Sequence, residues 1–96
     1  MLNIIWSDDA VEDVLENIDY LEKRWTKKEV DIFSEEIDAV LEKLSKGNLT
    51  FKPSDYKNTY EVPIVKQITL YYQVQGNDVF LVRFWNNYQD KSKLIL

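Results

Sequence analysis

The sequence contains no cysteine and no histidine. Without cysteine there can be no disulfides and no thiolate metal sites, and without histidine the commonest neutral metal ligand and general base is missing. We therefore expect no metal site and no cofactor. Glycine and proline are also scarce, with two of each among 96 residues, so the composition is that of a folded globular chain rather than a disordered one.

Long hydrophobic runs are missing as well. No segment approaches the roughly 20 apolar residues that a membrane span needs. The first residues turn acidic at once, without the basic flank and apolar run of a secretory signal. We expect a cytoplasmic protein with no membrane association, and its length fits one domain over residues 1–96.

Charge is distributed unevenly along the chain, which has a net charge of −5. Residues 1–47 hold six basic and thirteen acidic side chains (net −7), whereas residues 48–96 hold six basic and four acidic ones (net +2). The overall balance argues against a broad basic surface for nucleic acid. The acidic half could solubilise the protein or attract a basic partner.

A short strand and an amphipathic helix are predicted first. Leu2–Trp6 is an apolar run of strand length, and Ser7 fits the N-cap of a helix. Apolar residues then recur at helical spacing at Val11, Val14, Leu15, Ile18 and Leu21. We expect this stripe to face the core. The opposite face should meet water, and it carries Glu12, Asp13, Glu16 and Asp19.

A second helix is predicted to begin at Thr26. Thr26 and Glu29 fit a capping box, and Trp25 and Val30 fit the hydrophobic staple around it. Gly47 supplies the expected stop. The apolar stripe of this helix comprises Val30, Phe33, Ile37, Val40, Leu41 and Leu44. The two helices should form a hairpin that packs against a sheet.

Three strands are predicted in the second half, after an ordered surface loop over residues 48–58. Thr59–Val65 contains Pro63, which places it at a sheet edge or a bulge. Gln67–Gln75 alternates cleanly, and Gly76-Asn77 is a two-residue hairpin signal. Asp78–Trp85 is apolar on both faces, which is typical of a central strand.

Within this last strand, simple alternation assigns Phe80, Val82 and Phe84 to one face and Val79, Leu81 and Trp85 to the other, interrupted by Arg83. The tail Leu94-Ile95-Leu96 is apolar and needs a docking surface or a partner. The element order predicts an α+β fold with an N-terminal strand, a two-helix hairpin and a three-strand antiparallel meander that completes one sheet.

Two segments of the chain resemble the RelE/ParE toxin superfamily. One is Ile4-Ile5-Trp6-Ser7-Asp8-Asp9-Ala10, followed by Asp19-Tyr20-Leu21 and Trp25 at the family's spacing. The other is Val65-Lys66-Gln67-Ile68-Thr69-Leu70-Tyr71-Tyr72, with Phe84-Trp85-Asn86-Asn87-Tyr88-Gln89-Asp90 closing the sheet. The resemblance covers nearly the whole chain and implies the same α+β fold.

The resemblance implies the toxin component of a type II toxin–antitoxin module, with growth inhibition and plasmid stabilisation as its biological role. A cognate antitoxin would neutralise it by laying a helix or an added strand across exposed sheet or helix surfaces. ParE-like members poison DNA gyrase, whereas RelE-like members cleave mRNA on the ribosome, and the shared fold does not decide between them. A homodimer is left open.

RNA cleavage would need a base, an acid and cations around the reacting phosphate. Under this hypothesis Arg83, Lys66 and Tyr88 supply charge stabilisation and proton transfer, and Glu61 is the base. Each also has a structural interpretation. Arg83 could snorkel or pair with a carboxylate, Lys66 and Glu61 could be solvated surface residues, and Tyr88 could be an interface aromatic.

Two departures from the pattern of the relatives favour the ParE-like alternative. Where many relatives have Arg early in the edge strand this sequence has Tyr60-Glu61, and where they often have Arg before Gln-Asp it has Tyr88. Target binding without chemistry tolerates both changes. We therefore favour a gyrase inhibitor over a ribosome-dependent endoribonuclease, with a non-toxic binding module of the same fold as the third hypothesis.

Overall fold

The computed structural model describes residues 1–24, 26–47 and 52–94. Its two helices are α1 (Asp8–Arg24) and α2 (Lys27–Lys46). The strands are β1 (Asn3–Trp6), β2 (Lys52–Pro53), β3 (Tyr60–Val65), β4 (Ile68–Gln75) and β5 (Asp78–Asn86). A short 3₁₀ helix, Lys91–Lys93, follows β5.

The strands form one mixed five-stranded sheet in the order β1-β5-β4-β3-β2. β3, β4 and β5 are an antiparallel meander, and β1 lies parallel to β5. The predicted fold class is confirmed. β2 is an addition, because its two residues lie in the segment interpreted as a loop and pair with Tyr60 and Glu61. A two-residue strand is too short to produce a sequence period.

The core lies between the two helices and one face of the sheet. The predicted stripe of α2 is confirmed, since Phe33, Ile37, Val40 and Leu44 are all buried. The sheet contributes Ile64, Ile68, Leu70, Tyr72, Val79, Leu81 and Phe84 to the same cluster. Neither helix in the described ranges is long and apolar enough to cross a membrane.

Two irregularities break the ladders of the meander. The register between β3 and β4 shifts between Pro63 and Val65, next to a proline whose missing backbone N–H predicts such a bulge. The register between β4 and β5 also shifts, because Tyr71 pairs with Arg83 whereas Tyr72 pairs with Leu81. Val82 is therefore the extra residue of a bulge in β5.

This second bulge makes the predicted faces of β5 wrong. Val79, Leu81 and Phe84 all belong to the core cluster, while Trp85 belongs to a separate cluster with Tyr71. One inserted residue exchanges the two faces of a strand beyond the insertion. Alternation carried straight through Val82 misassigns Phe84 for that reason.

The predicted core face of α1 is correct only in part, since Leu21 is buried and Val14 and Ile18 pack partly buried against the core. The buried residues of this helix are Ala10, Asp13, Asn17 and Leu21. Val11 and Leu15 are instead 45% and 63% exposed. The buried face is rotated from the most apolar stripe toward one that includes two polar residues, whose partners lie on β5.

The two helices begin differently, although both have a predicted N-cap. The Ser7 hydroxyl accepts a hydrogen bond from the backbone N–H of Ala10 (3.0 Å) and donates one to the Val82 carbonyl (2.9 Å). Thr26 occupies the N-cap of α2 but makes no side-chain cap, so the predicted capping box is wrong. The staple involves Trp25, which lies outside the described residues.

The end of α2 is as predicted. Gly47 adopts a left-handed conformation with φ of 71°. Its N–H donates to the carbonyls of Leu44 and Lys43. This conformation favours glycine and closes the helix.

We expect Ser7→Ala to lower the free energy of unfolding by about 1–2 kcal/mol, because it removes a cap and a bond between α1 and β5. Thr26→Ala is the matched control and should cost less than about 0.5 kcal/mol, because no cap is lost. Urea unfolding followed by circular dichroism measures both. Equal losses would show that the two hydroxyls play the same role.

Candidate functional site

The C-terminal half of β5 is completed by a helix rather than by a strand. β1 pairs with β5 as far as Leu81, whose carbonyl accepts from the N–H of Ser7 (3.1 Å). Further along, Asp13 Oδ2 accepts from the N–H of Phe84 (3.0 Å), and Asn17 Nδ2 donates to the Phe84 carbonyl (2.9 Å). Two side chains of α1 thus satisfy backbone groups that a neighbouring strand would otherwise pair.

Arg83 is held by the same aspartate. Its Nε lies 2.6 Å from Asp13 Oδ2 and its Nη2 lies 2.9 Å from Asp13 Oδ1. The side chains are only 20% and 9% exposed, respectively, and the hydrogen bonds that Arg83 donates to Asp13 raise the pKa of Arg83. The guanidinium carbon also lies 5.6 Å from the ring centroid of Trp85. Of the interpretations open to Arg83, the structure therefore shows the pair with a carboxylate.

Two of the predicted catalytic residues share one row across the sheet. Glu61 on β3 pairs with Tyr71 on β4, and Tyr71 pairs with Arg83 on β5. Neighbouring strands are about 4.8 Å apart, so roughly 10 Å of sheet separates the backbones of Glu61 and Arg83. The aromatic side chain that stands between them, Tyr71, is one that the sequence hypothesis did not include.

The other two predicted residues lie at one end of the sheet. Lys66 is exposed in the turn between β3 and β4, and Tyr88 is 57% exposed just after β5. Asn87 joins these two segments, because its Nδ2 donates to the Lys66 carbonyl (3.2 Å) and its Oδ1 accepts from the Thr69 hydroxyl (3.0 Å).

Four residue steps, from Gln67 to Tyr71, separate this end from the row of Tyr71, which is about 13 Å. The structure thus places Glu61 and Arg83 in one row across the sheet, with Tyr71 between them, and Lys66 and Tyr88 at one end of it. It does not bring all four to one point.

A small aromatic cluster, the outer cluster, covers the sheet face opposite the helices. Its members are Tyr71, Trp85, Leu94 and Tyr56. The rings of Tyr56 and Tyr71 meet edge to face at 5.7 Å. Leu94 thus docks on the chain's own sheet, whereas Ile95 and Leu96 of the predicted apolar tail lie outside the described residues.

Lys91 ties the two segments over the outer cluster together. Its ammonium lies 3.6 Å from Asp55 and 5.9 Å from the Tyr56 ring centroid. The sequence carries no signal for this group, because Tyr56 and Lys91 lie in irregular segments without a period. The sequence does carry a signal for Asp13. Helical spacing places it on the same face of α1 as Ala10, Asn17 and Leu21, and all four residues are buried.

Burial of the Tyr71 and Tyr72 side chains should make the free energy of unfolding fall at alkaline pH. Burial raises the pKa of Tyr71, and the nearby Lys91 offsets this only in part. Burial likewise raises the pKa of Tyr72. The native protein therefore keeps phenolic protons that the unfolded chain loses above about pH 10. The free energy of unfolding should fall from that pH upward, by at most about 1.4 kcal/mol per pH unit for each phenol.

Urea midpoints measured from pH 8 to pH 11 test this. Tyr71→Phe should fall less steeply than the unmodified protein, since it removes one of the two phenols. Lysines titrate in both proteins, so the difference between the two slopes is the quantity to read. Identical slopes would contradict the assignment.

No group of three or more histidine, cysteine, aspartate or glutamate side chains that could hold a metal ion occurs within residues 1–24, 26–47 and 52–94.

A family model for the ParE toxin of the type II toxin–antitoxin system parDE matches residues 4–90. This range includes both helices and the whole meander. No curated protein sequence is similar enough to count as a match.

Solved structures share the fold at low sequence identity. A chain of the chromosomal ParDE system from P. aeruginosa superposes with a TM-score of 0.73 at 13% identity, covering 90% of this chain and 96% of that one. A chain of the YoeB dimer from Staphylococcus aureus gives 0.59 at 19% identity, with 91% and 98% covered. A chain of the E. coli DinJ–YafQ complex gives 0.63 at 15% identity, with 90% and 93% covered.

Proposed function

This chain belongs to the family of ParE toxins of type II toxin–antitoxin systems, and on that premise we propose that it inhibits DNA gyrase in the cytoplasm and that a cognate antitoxin neutralises it. The toxin class follows from the family. The target is the proposal, because the shared fold serves more than one target.

The ion pair between Arg83 and Asp13 is the observation that favours gyrase over mRNA as the target. A nuclease of this fold needs a cation free to stabilise negative charge at the phosphate. The Arg83 guanidinium donates two hydrogen bonds to the buried carboxylate of Asp13, which also accepts one from the backbone N–H of Phe84. Arg83 therefore stabilises the fold. Lys66 and Tyr88 lie about 13 Å away along the sheet, so the predicted catalytic residues do not share one reaction centre.

Ribosome-dependent mRNA cleavage is the second candidate. Lys66 and Tyr88 favour it, since they offer a cation and a phenol that are both exposed at the same end of the sheet. Such a pair could contact RNA without disturbing the core.

Two assays on the purified protein separate the candidates. We expect it to block ATP-dependent supercoiling of relaxed plasmid by gyrase and to leave mRNA uncut in a translating extract, as read by primer extension. Defined cuts with unimpaired supercoiling would replace this proposal with the endoribonuclease. Neither effect would leave a binding module of the same fold.

The double variant Lys66→Ala/Tyr88→Phe is a sharper probe than Arg83→Ala, because it alters exposed side chains and not a structural ion pair. We expect it to inhibit gyrase within about twofold of the unmodified protein, a change of less than about 0.5 kcal/mol. If mRNA cuts occur and this variant abolishes them, these residues act on RNA.

A further inference from the structure

A small polar cleft opens between α1 and the C-terminal half of β5. We call it the amide cleft, and Glu16, Asn17, Arg83, Asn86 and Gln89 are among the residues that line it. Its volume is about 70 Å³, which is room for roughly five water molecules. The cleft therefore accommodates the end of one side chain or a ligand of similar size, and it is too small for a nucleotide.

Two asparagines of the cleft are more than nine-tenths buried, since Asn17 is 5% exposed and Asn86 is 6% exposed. Each is bonded to the backbone of the segment at β5. Asn17 Nδ2 donates to the Phe84 carbonyl (2.9 Å), and Asn86 Oδ1 accepts from the N–H of Tyr88 (2.9 Å). Because a backbone carbonyl only accepts and a backbone N–H only donates, these partners fix the orientation of both amides.

The opposite end of each amide is left over. Within the described residues, Asn17 Oδ1 and Asn86 Nδ2 have no hydrogen-bond partner. Neither atom is sealed away from solvent. Since both residues line the amide cleft, these two atoms open into it. Polar groups of side chains this deeply buried are normally satisfied by water or by a ligand, so the cleft presents one unused acceptor and one unused donor.

The charges around the amide cleft favour a neutral ligand. Arg83 lines the cleft, but its Nε lies 2.6 Å from the carboxylate of Asp13, which neutralises its charge. Glu16 is exposed at the rim, where water screens it. An anionic ligand would approach the carboxylates of Asp13 and Glu16, and a cationic ligand would approach the guanidinium. A neutral group avoids both penalties.

A carboxamide is the small neutral group that carries a donor and an acceptor side by side. Asn17 is bonded to β5 at Phe84, which is two residues and therefore about 7 Å from Asn86. One carboxamide placed between the two asparagines can reach both of them.

We propose that the amide cleft binds one terminal carboxamide group. Its carbonyl oxygen accepts from Asn86 Nδ2, and its NH₂ group donates to Asn17 Oδ1. Such a group is carried by free glutamine and asparagine and by the same side chains on the surface of a target protein. The proposal does not depend on the inhibition of gyrase proposed above.

Three probes of nearly the same shape test the chemistry of the cleft. Acetamide carries a donor and an acceptor, acetate carries acceptors only, and acetamidinium carries donors only. Each is titrated from about 1 to 100 mM at constant ionic strength, because a ligand of four heavy atoms binds weakly. The side-chain NH₂ signals of Asn17 and Asn86 are followed by nuclear magnetic resonance on ¹⁵N-labelled protein. We expect acetamide to shift both signals and to bind at least about fivefold more tightly than either ion.

Asn86→Asp removes the unused donor and keeps the oxygen that accepts from Tyr88. We expect acetamide to bind this variant at least about fivefold more weakly, read from the Asn17 signal. Asn77→Asp is the matched control, because it makes the same change at an exposed position of the hairpin between β4 and β5, and its affinity should stay within about twofold. Circular dichroism checks that both variants are folded, and the comparison of probes on the unmodified chain stands without them.

The source of the carboxamide is separated by two further measurements. A free amino acid predicts that glutamine shifts the same two signals and that Asn86→Asp inhibits gyrase as well as Asn77→Asp does. A side chain of gyrase predicts that Asn86→Asp inhibits supercoiling at least about tenfold less well than Asn77→Asp.

Two results would overturn the proposal. One is acetate or acetamidinium binding as tightly as acetamide, which would make the amide cleft an ion site. The other is the absence of any shift of the Asn17 and Asn86 signals with acetamide, which would leave water as the occupant. A protein that does not inhibit gyrase would still give the acetamide titration, so the two proposals fail separately.

Discussion

Replacing Asp13 with alanine should lower the free energy of unfolding by about 3 kcal/mol. The substitution leaves the Arg83 guanidinium without its bidentate partner and the N–H of Phe84 without an acceptor. Removing one member of a buried ion pair typically costs about 3–5 kcal/mol, and the residual exposure of Arg83 places this site at the lower end. Urea unfolding monitored by far-ultraviolet circular dichroism measures the loss.

Asp19→Ala is the matched control, because it removes an aspartate from the same helix. Both side chains of its ion pair with Lys23 are exposed to solvent, so the loss of unfolding free energy should stay below about 0.5 kcal/mol. Asp13→Asn should fall between the two, since an amide oxygen can still accept from Phe84 while the charge is lost. Similar stabilities for all three variants would show that Asp13 does not secure β5.

The contrast between the two helices shows what the sequence could predict. The buried residues of α2 are all apolar, so its hydrophobic period alone gave them correctly. The buried face of α1 is decided by a need that no period reveals, because β1 ends at Trp6 and leaves the later backbone of β5 without a strand partner on the side away from β4. Asp13 and Asn17 supply those hydrogen bonds, and this outweighs the burial of Val11 and Leu15.

The candidate site shows a related limit. Glu61 and Arg83 were both proposed from residue type, but their common row depends on the bulge at Val82, which nothing in the alternation of β5 predicts. Lys91 and Tyr56 join the outer cluster through irregular segments, where position follows from tertiary contacts. Local patterns therefore predicted the elements, while the contacts between elements determined what each side chain does.

Phe84→Ala should cost about 4 kcal/mol, whereas Phe80→Ala should cost about 1–2 kcal/mol. Phe84 is 1% exposed, and its ring stacks on Trp6. Its backbone N–H donates the hydrogen bond to Asp13 that joins β5 to α1. Phe80 lies between Val79 and Leu81, both fully buried in the core, so its own side chain points to the opposite face and is only half-buried.

The pair tests the bulge directly, because uninterrupted alternation would put both phenylalanines on one face and make their losses comparable. Chemical denaturation of the two variants under the same conditions gives the comparison. A difference of at least about 2 kcal/mol is expected from the different burial of the two rings. Equal losses would mean that Val82 is paired normally and that Arg83 does not share a row with Tyr71 and Glu61.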